Sequence, residues 1–421
     1  MTSKKTVSNI DAIHSIQRKL LGKKLSYREV YNLMDEIGKE KLSDVLTTYF
    51  VAAGFKEGFT PAELYHLTKA MVETGKKLKF EGIVADKHST GGVAGTRTTM
   101  ILVPIIAAAG FKIPKTSSRA ITSPAGTADV METIADVTFT ISEIEKIVNK
   151  IGGCIVWGGH LGIAPADDVI IKVEEPLSFE PFDKVIVSIM AKKVAVSTNH
   201  LILDIPVGPT MKIRHFSDAE KVGKKFKVLG EKFNMKVLCD IKETIEPAGR
   251  RVGPALEALD VLSVLEQQPN RPIKLEVKAL RLAGRLLDSC FEDAKIKKNG
   301  EDEAKRILES GEALIKFREI VKAQGGDAKI SCDRFKITSK HTEIKSEHSG
   351  KIKSLNNYNL NSIAKILGAP ADKFAGLYLL KKTDEIVEKG EAILKLFATN
   401  PYRLDEARVT LKNFPIYEIE R

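Results

Sequence analysis

The spacing of apolar residues predicts a helical region at the start of the chain. Apolar side chains recur every fourth residue from Leu42 through Leu46 to Phe50, which places them on one helix face. The sequences SYRE at 26–29 and TPAE at 60–63 have the form of capping boxes, in which a Ser or Thr and a Glu three residues later satisfy each other's backbone N–H groups. We therefore expect residues 1–76 to form the first part of a helical domain.

From about residue 81 the pattern changes to short apolar runs that alternate with helical stretches. A buried helix is expected from Met100 to Ala109, and SEIE at 142–145 is a further capping box. The predicted strands are residues 83–85, 111–114, 136–141, 154–157 and 201–205. Strands that alternate with helices are typical of a largely parallel α/β sheet, in which ligands bind beyond the carboxyl ends of the strands.

Two further segments complete the predicted organisation. A strong helix from Val185 to Val196 follows a stretch bracketed by Pro176 and Pro181, and this segment could return to the helical domain. Beyond about residue 345, the runs SGKIKSL, DEIVEKGEAILKLFA and ARVTLKNFPIYEI predict short strands in a small β-rich module. The predicted segments are helical 1–76, α/β 77–164, helical 165–198, α/β 199–345 and β-rich 346–421.

The loop after the first predicted strand has the composition of an anion site: DKHSTGGVAGTRTT, residues 86–99. Its three glycines permit close backbone approach and positive φ, and Ser and Thr hydroxyls surround them. A helix beginning near Thr98 would direct free amides and the positive end of its dipole to the same place. The loop matches neither Walker A nor GxGxxG. The alternatives are a phosphate or carboxylate cradle and a plain strand–helix turn that needs glycine.

A second hydroxyl-rich loop, KTSSRAITSPAGTAD at 115–129, precedes a helix expected from about Ala128. Two such loops after neighbouring strands could converge on one anion, although ordinary Ser and Thr turn chemistry is the alternative. A third candidate is SIMAKK at 188–193, because Ser188 and Lys192 are four residues apart and share a helix face. Lys192 could equally be solvated, as could Lys212 after the Gly-Pro-Thr turn at 208–210.

Composition narrows the class of protein. The chain of 421 residues has a formal net charge of +11, but its lysines are spread along the whole length, so an anionic small substrate or a solvated surface is favoured over a nucleic-acid groove. There is no apolar run of roughly eighteen residues, and the N-terminus is too polar for a secretory signal. The four cysteines lack metal-site spacing, which indicates reduced thiols in a cytoplasmic protein.

Six motifs follow one another along the chain: KHSTGG, SSRAITSPAGTAD, VWGGHLGIAPAD, SIMAKK, LILDIPVGPTMK and VGPALEA. On these motifs the sequence closely resembles the family of thymidine, pyrimidine-nucleoside and archaeal AMP phosphorylases, over nearly its whole length. SSRAIT and APADD resemble the AMP phosphorylase branch most. Anthranilate phosphoribosyltransferases share the architecture of this family, but the motifs fit them less well.

The resemblance implies an α/β protein with a discontinuous helical domain, an α/β-sheet domain, a cleft between the two, and a small C-terminal α+β domain. It also implies a homodimer or larger homo-oligomer. The implied reaction is phosphorolysis, in which inorganic phosphate, the co-substrate, attacks C1′ of the sugar and the base departs. We expect no other cofactor and no metal. AMP phosphorylases act on nucleoside 5′-monophosphates and form ribose 1,5-bisphosphate.

The resemblance also implies roles for individual residues. His88 matches a base-proximal histidine, Ser188 and Lys192 match base contacts, and Glu180 aligns with the family's proton-donor aspartate. The implied phosphate-binding residues are Lys87, Ser89, Thr99, Ser117 and Thr127. The implied nucleotide contacts are Gly92, Ser118, Arg119, Ala120, Ile121, Thr122, Ser123, Thr127, Ser188 and Lys212.

Three features of this sequence differ from what one branch of the family or the other usually has. Glu174 stands where pyrimidine phosphorylases have an arginine that grips the base, which argues against a dedicated thymidine phosphorylase. Lys87, however, is typical of the pyrimidine group, and AMP phosphorylases usually carry an extra N-terminal domain, whereas this chain begins at the helical domain. We expect nucleotide phosphorolysis, of AMP and also CMP or UMP, with thymidine or pyrimidine-nucleoside phosphorolysis as the alternative. A binding protein that has lost activity is a third possibility.

Overall fold

The computed structural model describes residues 10–120, 123–159, 161–174 and 182–420, without the side chains of residues 55–57. Its contacts divide the chain into two compact units. The helical unit comprises Met1–Gly82, Gly158–Asn199 and Lys221–Val237, and the sheet unit comprises Ile83–Trp157, His200–Glu220 and Leu238–Arg421. The sequence predicts five segments, whereas the contacts give only two units. The boundaries of the five segments therefore stay a prediction.

The first part of the helical unit contains four helices: α1 (Ile10–Leu20), α2 (Tyr27–Gly38), α3 (Asp44–Glu57) and α4 (Pro61–Glu73). Both predicted capping boxes form, with Ser26 capping α2 and Thr60 capping α4. The prediction that Leu42 lies on a helix face is wrong. The Ser43 side chain accepts the N–H of Leu46 and so starts α3 after Leu42, which is nevertheless buried.

The sheet unit begins with alternating strands and helices. They are β1 (Ala85–Ser89), α5 (Thr99–Ala108), β2 (Ile113–Ser117), α6 (Thr127–Met131), α7 (Ile141–Ile151) and β3 (Gly153–Trp157). β2 and β3 are parallel, and a parallel bridge between Val84 and Lys112 connects the starts of β1 and β2. The predicted strand at 136–141 is wrong, because Thr140 forms a capping box with Glu143 and starts α7 there, two residues before the predicted cap.

The chain then returns to the helical unit with α8 (Pro165–Glu174) and α9 (Phe182–Ala195), and goes on through β4 (His200–Val207), α10 (Phe216–Glu231) and β5 (Lys236–Glu243). Ala166 and Ile170 of α8 and Val187 of α9 share one hydrophobic core with residues of α2 and α4. In the sheet, β4 lies between β1 and β5. β1 and β4 are parallel, with Ala85 opposite His200 and Ser89 opposite Asp204.

Helices cover the sheet and enclose α5. The short strand β6 (Arg251–Val252) comes first. The helices after it are α11 (Pro254–Leu265), α12 (Ile273–Ala294), α13 (Gly300–Glu309) and α14 (Glu312–Ala323). α5 carries apolar side chains on all sides and is buried from Thr99 to Ala107, as a helix in the centre of a core must be. None of the described helices is both long and apolar enough to cross a membrane.

The C-terminal part of the sheet unit mixes strands and helices. Its elements are β7 (Lys340–Lys345), β8 (Gly350–Leu355), α15 (Asn357–Leu367), β9 (Gly376–Leu379), β10 (Ile386–Val387), β11 (Ala392–Ala398), α16 (Pro401–Thr410) and β12 (Tyr417–Glu420). The sheets have the orders β6-β9-β11-β7 and β10-β8-β12. The strand predicted for ARVT at 407–410 is wrong, because Asn400 caps α16 and Pro401 occupies its first position.

Candidate active site

The carboxyl ends of β1 and β4 bring the first polar residues of the predicted anion site together. β1 does not end at residue 85, as predicted, but continues through Lys87 and His88 to Ser89. Ser89 lies opposite Asp204 on β4 and donates a hydrogen bond to it (Oγ to Oδ2, 3.1 Å). Half-buried His88 is the preceding residue of the same strand. The loop from Thr90 to Thr98, named the glycine loop below, joins β1 to α5.

Asp204 is the centre of a buried cluster of charges. Its Oδ1 lies 2.9 Å from Nζ of Lys278, and its Oδ2 lies 3.8 Å from Nζ of Lys87. Nζ of Lys87 also donates to Oγ1 of Thr99, at 3.4 Å. Burial lowers the pKa of Lys87 to about 8, a shift that Asp204 opposes and that Lys278 adds to. Burial disfavours the charged form of Asp204 too, but the ammonium groups of Lys278 and Lys87 hold its pKa below the usual value.

The glycine loop presents backbone and hydroxyl groups beside this cluster. Gly91 and Gly92 have φ values of +83° and +84°, a conformation that favours glycine. Within the described part of the chain, the N–H groups of Gly92 and Val93 donate to no protein acceptor. The buried hydroxyls of Thr90 and Thr98 likewise have no partner among described residues. Unpaired donors at a glycine turn fit an anion better than they fit a purely structural turn.

Arg97 joins the glycine loop to the second predicted loop, and sequence reasoning did not single it out. Its guanidinium donates to Oε2 of Glu257 (2.8 Å), to the carbonyl of Ala125 (2.8 Å) and to Oγ1 of Thr127 (3.1 Å). The two loops therefore meet, which satisfies the geometric condition for a shared anion. The helix after the second loop, α6, has only five residues, so its dipole adds little.

The predicted residues of the second loop differ in what they contact. Arg119 forms two 2.6 Å bonds with Glu132 and lies over the ring of Trp157, so its side chain anchors the loop. The N–H of Ala120 donates to Asp129. The hydroxyls of Ser117 and Ser123 donate to the carbonyls of Ser118 and Ala125, respectively, and Ser118 is exposed. Ile121 and Thr122 lie outside the described residues.

Lys212 lies directly against the glycine loop. It belongs to the turn of residues 208–212, named the Lys212 turn below, which follows β4. A Cβ atom built on Gly92 would stand 3.0 Å from Cγ of Lys212. Lys212 is an exposed residue. The structure therefore brings together Gly92 and Lys212, two predicted nucleotide contacts that are far apart in sequence.

The helical unit contains its own cluster of predicted residues, centred on buried Asp167 of α8. Lys184, Ser188 and Lys192 are spaced four residues apart on α9 and face it. Oδ2 of Asp167 accepts from Oγ of Ser188 (2.6 Å) and lies 2.7 Å from Nζ of Lys192. Burial opposes the charge of Lys192, but Asp167 raises its pKa above the usual value. Lys192 is therefore ion-paired rather than simply solvated.

Two acidic residues between the ends of α8 and α9 were singled out from the sequence. Glu174, which the resemblance sets at the position of a base-gripping arginine in pyrimidine phosphorylases, is buried and pairs with Lys184 at 2.6 Å. The structure thus gives Glu174 an internal partner. Glu180, the predicted proton donor, lies outside the described residues.

The sheet unit therefore brings Lys87 and Lys212 together with amides and hydroxyls that have no partner among the described residues, at the carboxyl ends of its strands. Such groups bind phosphate through charge and hydrogen bonds. Among the described residues, no group of three or more His, Cys, Asp or Glu side chains is placed to hold a metal ion.

Comparisons with known proteins agree with this architecture. Residues 81–314 match the glycosyl transferase family α/β domain, residues 13–75 match the helical bundle domain of that family, and residues 351–417 match the pyrimidine nucleoside phosphorylase C-terminal domain. AMP phosphorylase 1 of Archaeoglobus fulgidus is 42% identical over 94% of this chain and 78% of its own length. AMP phosphorylase of Thermofilum pendens is 41% identical over 96% of this chain and 77% of its own.

A solved structure extends the likeness to the fold. Anthranilate phosphoribosyltransferase from Thermus thermophilus superposes with a TM-score of 0.61 at 18% identity, covering 74% of this chain and 99% of that one. At this identity the similarity shows the fold alone. It confirms the predicted combination of a helical bundle with an α/β sheet.

Proposed function

The chain belongs to the family of thymidine, pyrimidine-nucleoside and AMP phosphorylases, and we propose that it catalyses reversible phosphorolysis of nucleoside 5′-monophosphates. AMP, and also CMP or UMP, would yield the free base and ribose 1,5-bisphosphate. The observation that carries this proposal is the position of Lys212 against Gly92. A nucleoside needs one phosphate site for the attacking phosphate, whereas a nucleotide needs a second one for its 5′-phosphate.

In the proposal, the attacking phosphate binds at the ends of β1 and β2. The residues that hold it are Lys87, Ser89, Thr99, Ser117 and Thr127. A phosphate oxygen forms a bond to C1′ while the C1′–N bond to the base breaks, and the bonding electron pair leaves with the base nitrogen. Fixed cations and donors place the dianion in line and stabilise it without reorganisation, which is the main contribution available to such a site.

The 5′-phosphate of the nucleotide would bind at Gly92 and the Lys212 turn, assisted by the second loop through residues 118–123. The N–H groups of Gly92 and Val93, which donate to no acceptor among the described residues, and the contact of Lys212 with Gly92 support this assignment. The binding energy of a non-reacting phosphate can be used to hold the sugar for attack.

The base would contact His88, Ser188 and Lys192, and Glu180 would protonate it as it leaves. The hydrogen bonds from Ser188 and Lys192 to Asp167 support these roles, because they fix both side chains on one face of α9. The proposed steps call for no metal and for no cofactor besides phosphate.

A second candidate is phosphorolysis of thymidine or pyrimidine nucleosides to (deoxy)ribose 1-phosphate. Two observations favour it: the buried Lys87 of the phosphate cluster, and the match of residues 351–417 to a pyrimidine nucleoside phosphorylase domain. We also propose that the protein works in the cytoplasm as a homodimer or larger homo-oligomer, in AMP catabolism and nucleotide salvage.

A substrate panel tests the proposal. We expect phosphate-dependent release of base from AMP, CMP or UMP, and much slower release from uridine or thymidine. In Lys212→Ala, kcat/KM for the monophosphates should fall about thirtyfold, because a charge-assisted contact is lost, with little change for nucleosides. Equal losses for both substrate classes would contradict the role of Lys212, and release from nucleosides alone would establish the second candidate.

A further inference from the structure

The first turn of α15, in the C-terminal part of the chain, attaches to both loops of the proposed 5′-phosphate site. Asn357 is 1% exposed. Its Oδ1 accepts the N–H of Ala94 (3.1 Å), and its Nδ2 donates to the carbonyl of Gly92 (2.6 Å). The same Nδ2 lies 3.4 Å from the carbonyl of Thr210, and the Asn357 N–H donates to Oγ1 of Thr210 at 3.4 Å. One buried residue therefore connects the glycine loop to the Lys212 turn.

The attachment fixes the peptide groups on both sides of Val93. The carbonyl of Gly92 accepts from Asn357 and also from Nδ2 of Asn361 (3.2 Å), so both of its lone pairs are used. The next peptide is held through the Ala94 N–H. Because peptide groups are planar, these bonds also set the direction of the Val93 N–H, which donates to no acceptor among the described residues.

Neighbouring contacts make this part of α15 a rigid support. The Asn356 side chain caps the helix by accepting the N–H groups of Tyr358 and Asn359. The Tyr358 hydroxyl donates to the carbonyl of Met211, the residue before Lys212 (3.1 Å). The Lys212 turn is thus held by α15 at two consecutive residues, Thr210 and Met211.

We propose that Asn357 is a positioning residue that sets the Lys212 turn against the glycine loop, so that the C-terminal part of the chain completes the 5′-phosphate site. The identity of the ligand rests on the proposed function, whereas the attachment of the loops does not. Asparagine suits the position because its side chain offers a donor and an acceptor together. Aspartate would retain the bond from Ala94 but could not donate to Gly92.

Loss of this attachment weakens one phosphate site and not the other. Asn357 bonds to both the glycine loop and the Lys212 turn, whereas Lys87 is held by Asp204 and Thr99 on β4 and α5. The affinity for a sugar 5′-phosphate should therefore fall while the affinity for inorganic phosphate is kept. A general loss of stability would lower both.

The first test compares Asn357→Asp with Asn359→Asp. Asn359 lies in the same turn of α15 and donates from Nδ2 to the carbonyl of Pro415, so the control loses the same kind of bond without touching either loop. In Asn357→Asp we expect the KM for AMP and the inhibition constant for ribose 5-phosphate to rise about tenfold, the usual effect of one unmet buried hydrogen bond. The KM for inorganic phosphate should change less than about twofold.

A second measurement does not depend on turnover. Amide hydrogen exchange of the segment 91–97 should be about tenfold faster in Asn357→Ala than in Asn359→Ala, since the Ala94 N–H loses its acceptor. Unchanged exchange would overturn the attachment, and equal changes in the constants for ribose 5-phosphate and inorganic phosphate would overturn its link to the 5′-phosphate site. If wild type releases no base from any monophosphate, the proposed function fails, and the exchange experiment still decides the role of Asn357.

Discussion

The sheet unit and the helical unit each bury an aspartate that holds one serine and two lysines, yet the two clusters carry different charge. In the sheet unit both Lys87 and Lys278 pair with Asp204. Among the described residues, no other carboxylate forms an ion pair with both of them. In the helical unit Lys184 and Lys192 face Asp167, and Lys184 has Glu174 as a second partner. Among these ion-paired groups, the first cluster sets two positive charges against one negative charge, and the second sets two against two.

The pKa values follow this difference. Burial, together with the charges of Lys278 and Arg97, lowers the pKa of Lys87 to about 8, although Asp204 counteracts this shift. The pKa of Lys192 is instead raised, because Asp167 outweighs the effect of burial, and burial together with Asp167 raises the pKa of Asp168 to about 6. An anion would relieve the first cluster, whereas a neutral base suits the second. This difference supports the proposal that inorganic phosphate binds at the first cluster and that the base contacts Ser188 and Lys192 of the second.

The largest expected effect concerns the leaving base. Glu180→Gln should reduce kcat by about two to four orders of magnitude with little change in substrate affinity, because general-acid assistance is lost while hydrogen bonding is retained. Steady-state kinetics with AMP and phosphate measure this, with Glu175→Gln as a control in the same segment. Wild-type turnover in Glu180→Gln would rule out the role.

Removing one lysine from each cluster tests the division of roles directly. Lys87→Met should lower kcat/KM for inorganic phosphate about a hundredfold, since the site loses a fixed cation at the attacking dianion. Lys192→Met should raise the KM for the nucleotide about tenfold and leave the KM for phosphate unchanged. If both variants lose phosphate affinity equally, the assignment of the two clusters is wrong.

The same contrast predicts a difference in pH dependence. Lys87 is charged below its pKa of about 8 and loses its charge as the pH rises through that value. Affinity for phosphate should then fall, approaching tenfold per pH unit above 8. Lys87→Arg should abolish this decline, because arginine stays protonated. The effect of Lys87 on stability changes with pH in the opposite direction to its effect on phosphate affinity. Between pH of about 8 and about 10.4 the lysine is protonated in the unfolded chain but not in the folded one, so the free energy of unfolding rises with pH.

The sequence was informative where local rules decide the structure. The capping boxes at Ser26 and Thr60 and the buried helix α5 depend on nearby residues, and they were predicted correctly. The end of β1 was misjudged because Asp86, Lys87 and His88 are polar. Their strand is completed by distant residues, since Asp86 pairs with Lys115 of β2 and Lys87 lies beside Asp204 of β4. Asn357 carried no signal at all, since its partners in the glycine loop lie more than two hundred residues away in the sequence.

Arg97, which sequence reasoning did not single out, bears on how the sheet unit binds phosphate. Oγ1 of Thr127 accepts from Arg97, which leaves the hydroxyl proton of Thr127 available to an anion. We expect a double-mutant cycle of Arg97→Met and Thr127→Val to give a coupling energy of about 1 kcal/mol, or about fivefold, in kcat/KM for phosphate. Glu257→Gln should be present throughout, so that no unpaired carboxylate is left buried.

A matched cycle separates this coupling from a general loosening of the second loop. Arg119 anchors the same loop through Glu132 and does not bond to Thr127, so Arg119→Met and Thr127→Val should be additive within about 0.5 kcal/mol. If Arg97 only held the loop, its cycle would be additive as well, and both arginine variants would lower the melting temperature without interacting with Thr127. Coupling confined to Arg97 would mean that the surplus charge of the sheet unit acts on phosphate through an oriented hydroxyl as well as directly through Lys87.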